Sequence, residues 1–239
     1  MPDSLDALMM GQKPTKDRPL LGQTILVVED SRFASEALRL MCLRSGARIR
    51  RADSLASATR HLSTYMPSIA IVDLGLPDGS GIDLIDTMAS AQPRIPVILA
   101  TSGDDGMHEA ALDAGAHGYL EKPLTSLAAF QAAIMAHLPP TPGIAPLRAV
   151  DEPELSPDAL AYRDDLARAA AVARAGADRE TLNYLAQFLG GLATSAGDTP
   201  LKDAADDLKD ALQNGAQAEP QFQRLAGLIE ARLQKEATV

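Results

Sequence analysis

No tryptophan occurs in this sequence, and aromatic residues make up only 3% of it, so any core it builds must be aliphatic. There is one cysteine, Cys42, which excludes an intrachain disulfide and suits a reducing compartment. Flanked by Leu38, Leu40, Met41 and Leu43, it reads as a small buried hydrophobe. No apolar stretch approaches the ~20 residues of a membrane-spanning helix, and the first residues lack a basic segment leading into an apolar run. Neither a membrane span nor a signal peptide is expected, and the expected location is the cytoplasm. Positive charge is short: the formal net charge is −10, the wrong sign for a protein held on nucleic acid by phosphate contacts. Histidine is scarce, with His61, His108, His117 and His137 and none beyond.

What is present falls into two halves. Residues 1–22 are polar and proline-containing and read as a flexible tail. From residue 23 apolar runs alternate with helical spacing. Strands are expected at 23–28, 48–52, 69–73, 95–101 and 117–121. Helices are expected from Arg32 to Gly46, from a cap at Asp53 or Ser54 to Tyr65, from Ile82 to about Pro93, from Gly103 to Gly115, and from Ser126 to Leu138. Five βα units in residues 23–138 imply a parallel sheet with helices on both faces. Residues 139–155 are rich in proline and glycine and read as a stiff linker. Beyond it the strand signal stops. Residues 156–239 carry four helical segments, each with one apolar stripe: Leu155-Ser156-Pro157 as a start, Leu182, Leu185, Leu189 and Leu192 on the second, Leu201 to Leu212 on the third, Phe222 to Leu233 on the fourth. Short connections between such stripes suggest an antiparallel four-helix bundle.

The chemistry collects at the strand ends, where ligands of open α/β sheets bind. Glu29 and Asp30 follow the first strand, Asp73 ends the third, Thr101 ends the fourth and Lys122 follows the fifth. Three carboxylates brought together repel one another, and a divalent cation is the usual remedy. An all-oxygen set with no nearby His or Cys suits Mg²⁺. A cation, the Lys122 ammonium and the Thr101 hydroxyl are the parts needed to hold phosphoryl oxygens, and a carboxylate among them can attack phosphorus.

The run Val27-Val28-Glu29-Asp30-Ser31, then Asp73 with Pro77 and Gly81, then Ala100-Thr101-Ser102, then Tyr119-Leu120-Glu121-Lys122-Pro123 resembles the receiver domain of two-component response regulators. The resemblance implies a flavodoxin-like five-stranded parallel sheet of order 2-1-3-4-5. It implies Asp73 as phosphoacceptor from a phosphohistidine on a sensor histidine kinase or phosphotransfer protein, with Mg²⁺ held by Glu29, Asp30, Asp73 and the backbone carbonyl of Gly75. Thr101 and Lys122 would contact the phosphoryl oxygens, and Tyr119 would be the switch aromatic. No enzymatic activity is expected beyond taking up this group and losing it again.

Residues 151–239 hold sixteen Asp plus Glu against nine Lys plus Arg, which argues against a DNA-recognition surface. The stretch from Ala186 to Gly197 resembles the signature helix of a histidine phosphotransfer domain. Gln187 stands where that family has its histidine, Gly190 where it has a lysine, and Gly191 fits its glycine. A glutamine amide is no phosphoryl nucleophile, so this half is read as a degenerate phosphotransfer-like bundle that signals by protein–protein contact. It would dock a receiver, its own or another, or form a homodimer. The alternatives are a transcription regulator with an unusual helical output half, and a phosphatase or phosphate sink acting on another receiver. Gln187, off the leucine stripe, is expected to be exposed.

Overall fold

The computed structural model describes residues 14–103, 105–139, 159–176, 178–215 and 217–235. Its sheet is built from β1 (Thr24–Val28), β2 (Arg48–Ala52), β3 (Ile69–Asp73), β4 (Val97–Ser102) and β5 (Gly118–Glu121), in the order β2-β1-β3-β4-β5. Every pairing in that sheet is parallel. This is a flavodoxin-like fold, and its crossovers are α1 (Arg32–Arg44), α2 (Leu55–Leu62), α3 (Gly81–Ser90) and α4 (His108–Asp113), with α5 (Leu127–Met135) closing it. β1, β3 and β4 are buried on both faces, so they read as unbroken apolar runs, whereas edge strand β2 keeps three of its five residues exposed.

Four helices follow, α6 (Ala159–Ala175), α7 (Arg179–Ala196), α8 (Thr199–Gln213) and α9 (Glu219–Lys235). Leu166, Leu185, Leu189, Leu192, Leu201, Leu208, Leu225 and Ile229 fill their common core. The helix starts are set by side chains: Asp178 accepts from Thr181 N at 2.8 Å and Asp198 from Leu201 N at 3.2 Å. α7 ends on Gly197 at φ +68°, a left-handed stop.

Several expectations need correction. Within the stretch expected as a tail, Leu20 is fully buried and its N–H donates to the Ser45 carbonyl at 2.9 Å, because an apolar side chain beside Met41 and Cys42 joins their core. β4 starts at Val97, not residue 95, after Pro96, which has no N–H to donate. Ser54, not Asp53, caps α2, accepting from Ser57 N. That helix stops at Leu62 rather than Tyr65, where Ser63 and Thr64 hydroxyls donate to the Arg60 carbonyl. The segment expected as one helix from Gly103 to Gly115 is a short 3₁₀ turn, Asp105–Met107, before α4. The linker and the Leu155-Ser156-Pro157 start fall mostly or wholly outside the described residues.

Candidate functional site

The parallel register brings the strand ends level. Val28 pairs with Val72, and Asp73 with Thr101, so each chain leaves the sheet at the same height. Polar side chains there turn into the crevice between loops. Behind Asp73 the chain doubles back as a two-stranded ribbon, Gly75–Leu76 against Gly79–Ser80. Asp78 at its tip accepts from Leu55 N at 2.8 Å and Ala56 N at 2.9 Å, tying the loop to the start of α2. Gly81 returns so close beneath Asp73 that a Cβ there would lie 2.1 Å from the Asp73 carbonyl oxygen. Only glycine fits.

Glu29, Asp30 and Asp73 are all buried, and each offers a carboxylate oxygen within 4.8 Å of the others'. Lys122 reaches in from beyond β5, its Nζ 2.8 Å from Glu29 Oε2 and 3.3 Å from Asp73 Oδ2. Burial, then the neighbouring Asp73, pushes the Glu29 carboxyl up to about 8 and Asp30 up to about 7. Burial works against the charge on Lys122, but Asp73 and Glu29 outweigh it and hold the ammonium above the ordinary lysine range. Thr101 is 0% exposed and its Oγ1 has no hydrogen-bond partner among the described residues. Crowded acids whose ionisation is resisted, one ammonium and one unengaged hydroxyl suit a hard divalent cation together with an incoming anionic group. Gly75, expected to lend its carbonyl, lines the same cavity. Tyr119 does not: it is half-buried on β5, with its ring stacked on His108 at 4.9 Å.

The sequence-derived site is incomplete on one side, because the bundle closes it. Gln187 keeps more than a third of its surface exposed, as expected, yet its amide rests on the Asp73 loop. A Cβ built at Gly75 would lie 2.7 Å from Gln187 Nε2. Gly191 also faces the site; a Cβ there would meet Lys122 Nζ at 3.9 Å. Gly190 lines the same cavity but packs on α8, where a Cβ would touch Ala205 at 3.8 Å.

Three residues went unread in the sequence. Tyr184 donates to Asp30 Oδ2 at 2.9 Å. Arg168 donates to the Asp30 carbonyl at 2.8 Å and lies 3.4 Å from the same Oδ2. Asp165, 0% exposed, accepts from Ser31 Oγ, Arg32 N and Phe33 N at 2.9–3.1 Å. Two signals were available. Tyr184, Gln187 and Gly191 stand at i, i+3 and i+7, on one helix face. Asp165 sits beside Leu166 and one turn before Ala169, a charge next to an apolar stripe.

Residues 25–134 match the family model of the response regulator receiver domain. Among curated proteins the chain is similar to the virulence transcriptional regulatory protein PhoP of Salmonella typhi, 35% identical over 100 residues that cover 41% of this chain and 45% of that one. It is also similar to the KDP operon transcriptional regulatory protein KdpE of Escherichia coli, 35% identical over 99 residues, 41% and 44% of the two chains. The chain thus spans less than half the length of these relatives. Among solved structures, a response regulator protein from Burkholderia pseudomallei with a phosphorylated aspartic acid, calcium ion and citrate is 29% identical, covering 46% of this chain and 65% of that one at a TM-score of 0.42. The receiver domain of sensor histidine kinase PA1611 from Pseudomonas aeruginosa, with magnesium in its active site cleft, is 26% identical, covering 48% and 97% at 0.44.

Proposed function

We propose that this protein is a phosphorylation-controlled response regulator that takes a phosphoryl group onto Asp73 and signals through its C-terminal helices. The observation that carries this reading is the convergence of Glu29, Asp30, Asp73 and Lys122 at the carboxyl end of a parallel sheet, with Thr101 and its unpartnered hydroxyl level with Asp73 on the neighbouring strand. In transfer from a phosphohistidine, an Asp73 oxygen forms the new bond to phosphorus as the nitrogen–phosphorus bond breaks, and the imidazole leaves with the electron pair. Lys122 already pairs with an Asp73 oxygen and is placed to follow the charge onto the transferred group. Thr101, level with Asp73 in the neighbouring strand, has its hydroxyl ready to donate to a phosphoryl oxygen. Glu29, Asp30, Asp73 and the Gly75 carbonyl would hold Mg²⁺, which when bound offsets the negative charge of acceptor and donor. The donor would be a sensor histidine kinase or a phosphotransfer protein.

The output is read as protein contact. The curated relatives are transcriptional regulators, but they match this chain over about 100 residues only, and residues 151–239 carry a net charge of about −7. That charge is unsuited to DNA, and a gel-shift assay that detected DNA binding would overturn this part of the reading.

The test of the acceptor is labelling by acetyl phosphate or a phosphorylated kinase. Asp73→Asn is expected to abolish it, and EDTA to abolish it in the unaltered protein. Label that survives either treatment removes Asp73, or the cation, from the reaction.

A further inference from the structure

Asp30 is held by groups that do not belong to the receiver fold. Its Oδ2 accepts from Tyr184 OH on α7 and lies beside the Arg168 guanidinium of α6, whose other nitrogen donates to the Asp30 backbone carbonyl. Arg168 also donates to Tyr184 OH at 2.9 Å, so the two act as one unit. Gln187, one turn beyond Tyr184, lies on the loop that follows Asp73. Beneath them Asp165 accepts three hydrogen bonds from the first turn of α1, which follows directly on Glu29 and Asp30. What stays open among Asp73, Lys122 and Gln187 is a cavity of about 40 Å³. That is room for a few small species, and Glu29 and Asp30 also line a wider cleft of about 810 Å³ that runs past Arg168.

We propose that the phosphoacceptor pocket is a protein-docking site whose occupant is this chain's own bundle, and that docking and divalent-cation binding exclude one another at Asp30. The inference rests on the reading of Asp73 and its acidic neighbours given above. A carboxylate oxygen that accepts from a phenol and faces a guanidinium has its lone pairs engaged. The fixed positive charge of Arg168 repels a second cation at short range in a poorly solvated pocket. The guanidinium thus stands where part of the cation's charge would be needed, and loading requires Arg168 and Tyr184 to leave. Leu166 and Leu189 lock α6 to α7 in one core, and Arg168 lies over the Phe188 ring at 5.4 Å. The face that withdraws therefore carries Gln187 with it and opens the pocket to a donor. Phosphorylation and release of the bundle become two sides of one equilibrium, each favouring the other.

The experiment uses the full chain and two variants outside the acidic cluster. Tyr184→Phe removes one hydroxyl and keeps the ring that stacks on Phe188. Asp165→Ala removes the three bonds to α1. Mg²⁺ affinity is measured by calorimetry, with Mn²⁺ resonance spectra as a second probe, and labelling of Asp73 by acetyl phosphate is timed in parallel. Both variants are expected to bind Mg²⁺ at least fivefold more tightly than the unaltered protein and to label at least fivefold faster. In the unaltered protein, saturating Mg²⁺ with beryllofluoride should cost the Arg32 and Phe33 amides their protection from hydrogen exchange. If Tyr184→Phe folds, binds Mg²⁺ and labels at Asp73 with affinity and rate within twofold of the unaltered protein, the exclusion is wrong while the acceptor reading stands. Weaker Mg²⁺ binding by Tyr184→Phe would also overturn it, since the hydroxyl would then be supporting the cation. Failure of every protein to bind Mg²⁺ or take label would instead bring down the acceptor reading, and this inference with it.

Discussion

Thr101 holds a buried hydroxyl that bonds to nothing among the described residues. Burying such a group without a partner costs about 1–3 kcal/mol, and valine has nearly the same shape without the oxygen. Thr101→Val is therefore expected to stabilise the unphosphorylated protein by about 1 kcal/mol, a rise of roughly 2–4 °C in Tm for a chain of this size. It should also weaken the response to a phosphoryl mimic, because the replacement cannot donate. A fall in Tm on thermal melting would show that the hydroxyl is engaged in the resting protein. Cys42 makes the opposite case, a residue whose chemistry the fold switches off. Burial pushes its thiol up to about 12, so almost no thiolate exists at pH 8 and a thiol reagent should label it only as the chain unfolds. Rapid labelling of the native protein would contradict its place in the core.

Among the elements, the join between α7 and α8 gathers polar contacts from α6, α8 and α9. Asp198 caps α8, accepts from Tyr162 OH on α6 at 2.6 Å, and is paired with Arg232 of α9. Burial would raise its pKa, but the bonds from Arg232 and Tyr162 prevail and hold the carboxyl below its ordinary value. A depressed carboxylate contributes stability that is fully present above its unfolded pKa, about 4, and that drains away as pH falls through the folded value. Asp198→Asn is expected to cost about 1 kcal/mol at pH 7, with the gap to the unaltered protein closing toward pH 3. A difference that stays constant with pH in denaturant titrations would remove the charge from the account. The same element logic explains what could be read from the sequence. β1, β3 and β4 were legible because each apolar run ends on a polar residue, Glu29, Asp73 or Thr101, at the crevice. The acidic cluster followed from those ends, and α7 to α9 from their leucine stripes and caps. The ribbon after Asp73 and the shortened α2 and α4 were not, since two-residue strands carry no period and loop hydroxyls compete locally for carbonyls. Tyr184 on Asp30 and Asp165 on Ser31 join residues more than 130 positions apart. No local pattern encodes such a pairing.

Across the whole molecule the two halves are coupled through Phe33. It belongs to α1, yet it is 7% exposed within the bundle's core cluster and meets Tyr162 edge to face at 5.8 Å. Together with the Asp165 bonds this makes the bundle part of the packing of the α/β half, and heating should unfold the intact chain in one calorimetric transition. A switch sets a limit on that coupling. Moving a docked population from 99:1 to 1:99 needs about 5.5 kcal/mol of differential binding, so the resting contact must stay within the range that a phosphoryl group and its cation can supply. Truncating a buried phenylalanine to alanine costs about 3–5 kcal/mol, most of that margin. Phe33→Ala is accordingly expected to leave both halves folded, to separate the single transition into two, and to increase the radius of gyration in solution scattering without any phosphodonor. Adding a phosphoryl mimic to this variant should change its dimensions little, because most molecules would already be open. Two transitions in the unaltered protein, or a Phe33→Ala variant that stays as compact and melts as cooperatively as its parent, would show that the halves are not held through this residue.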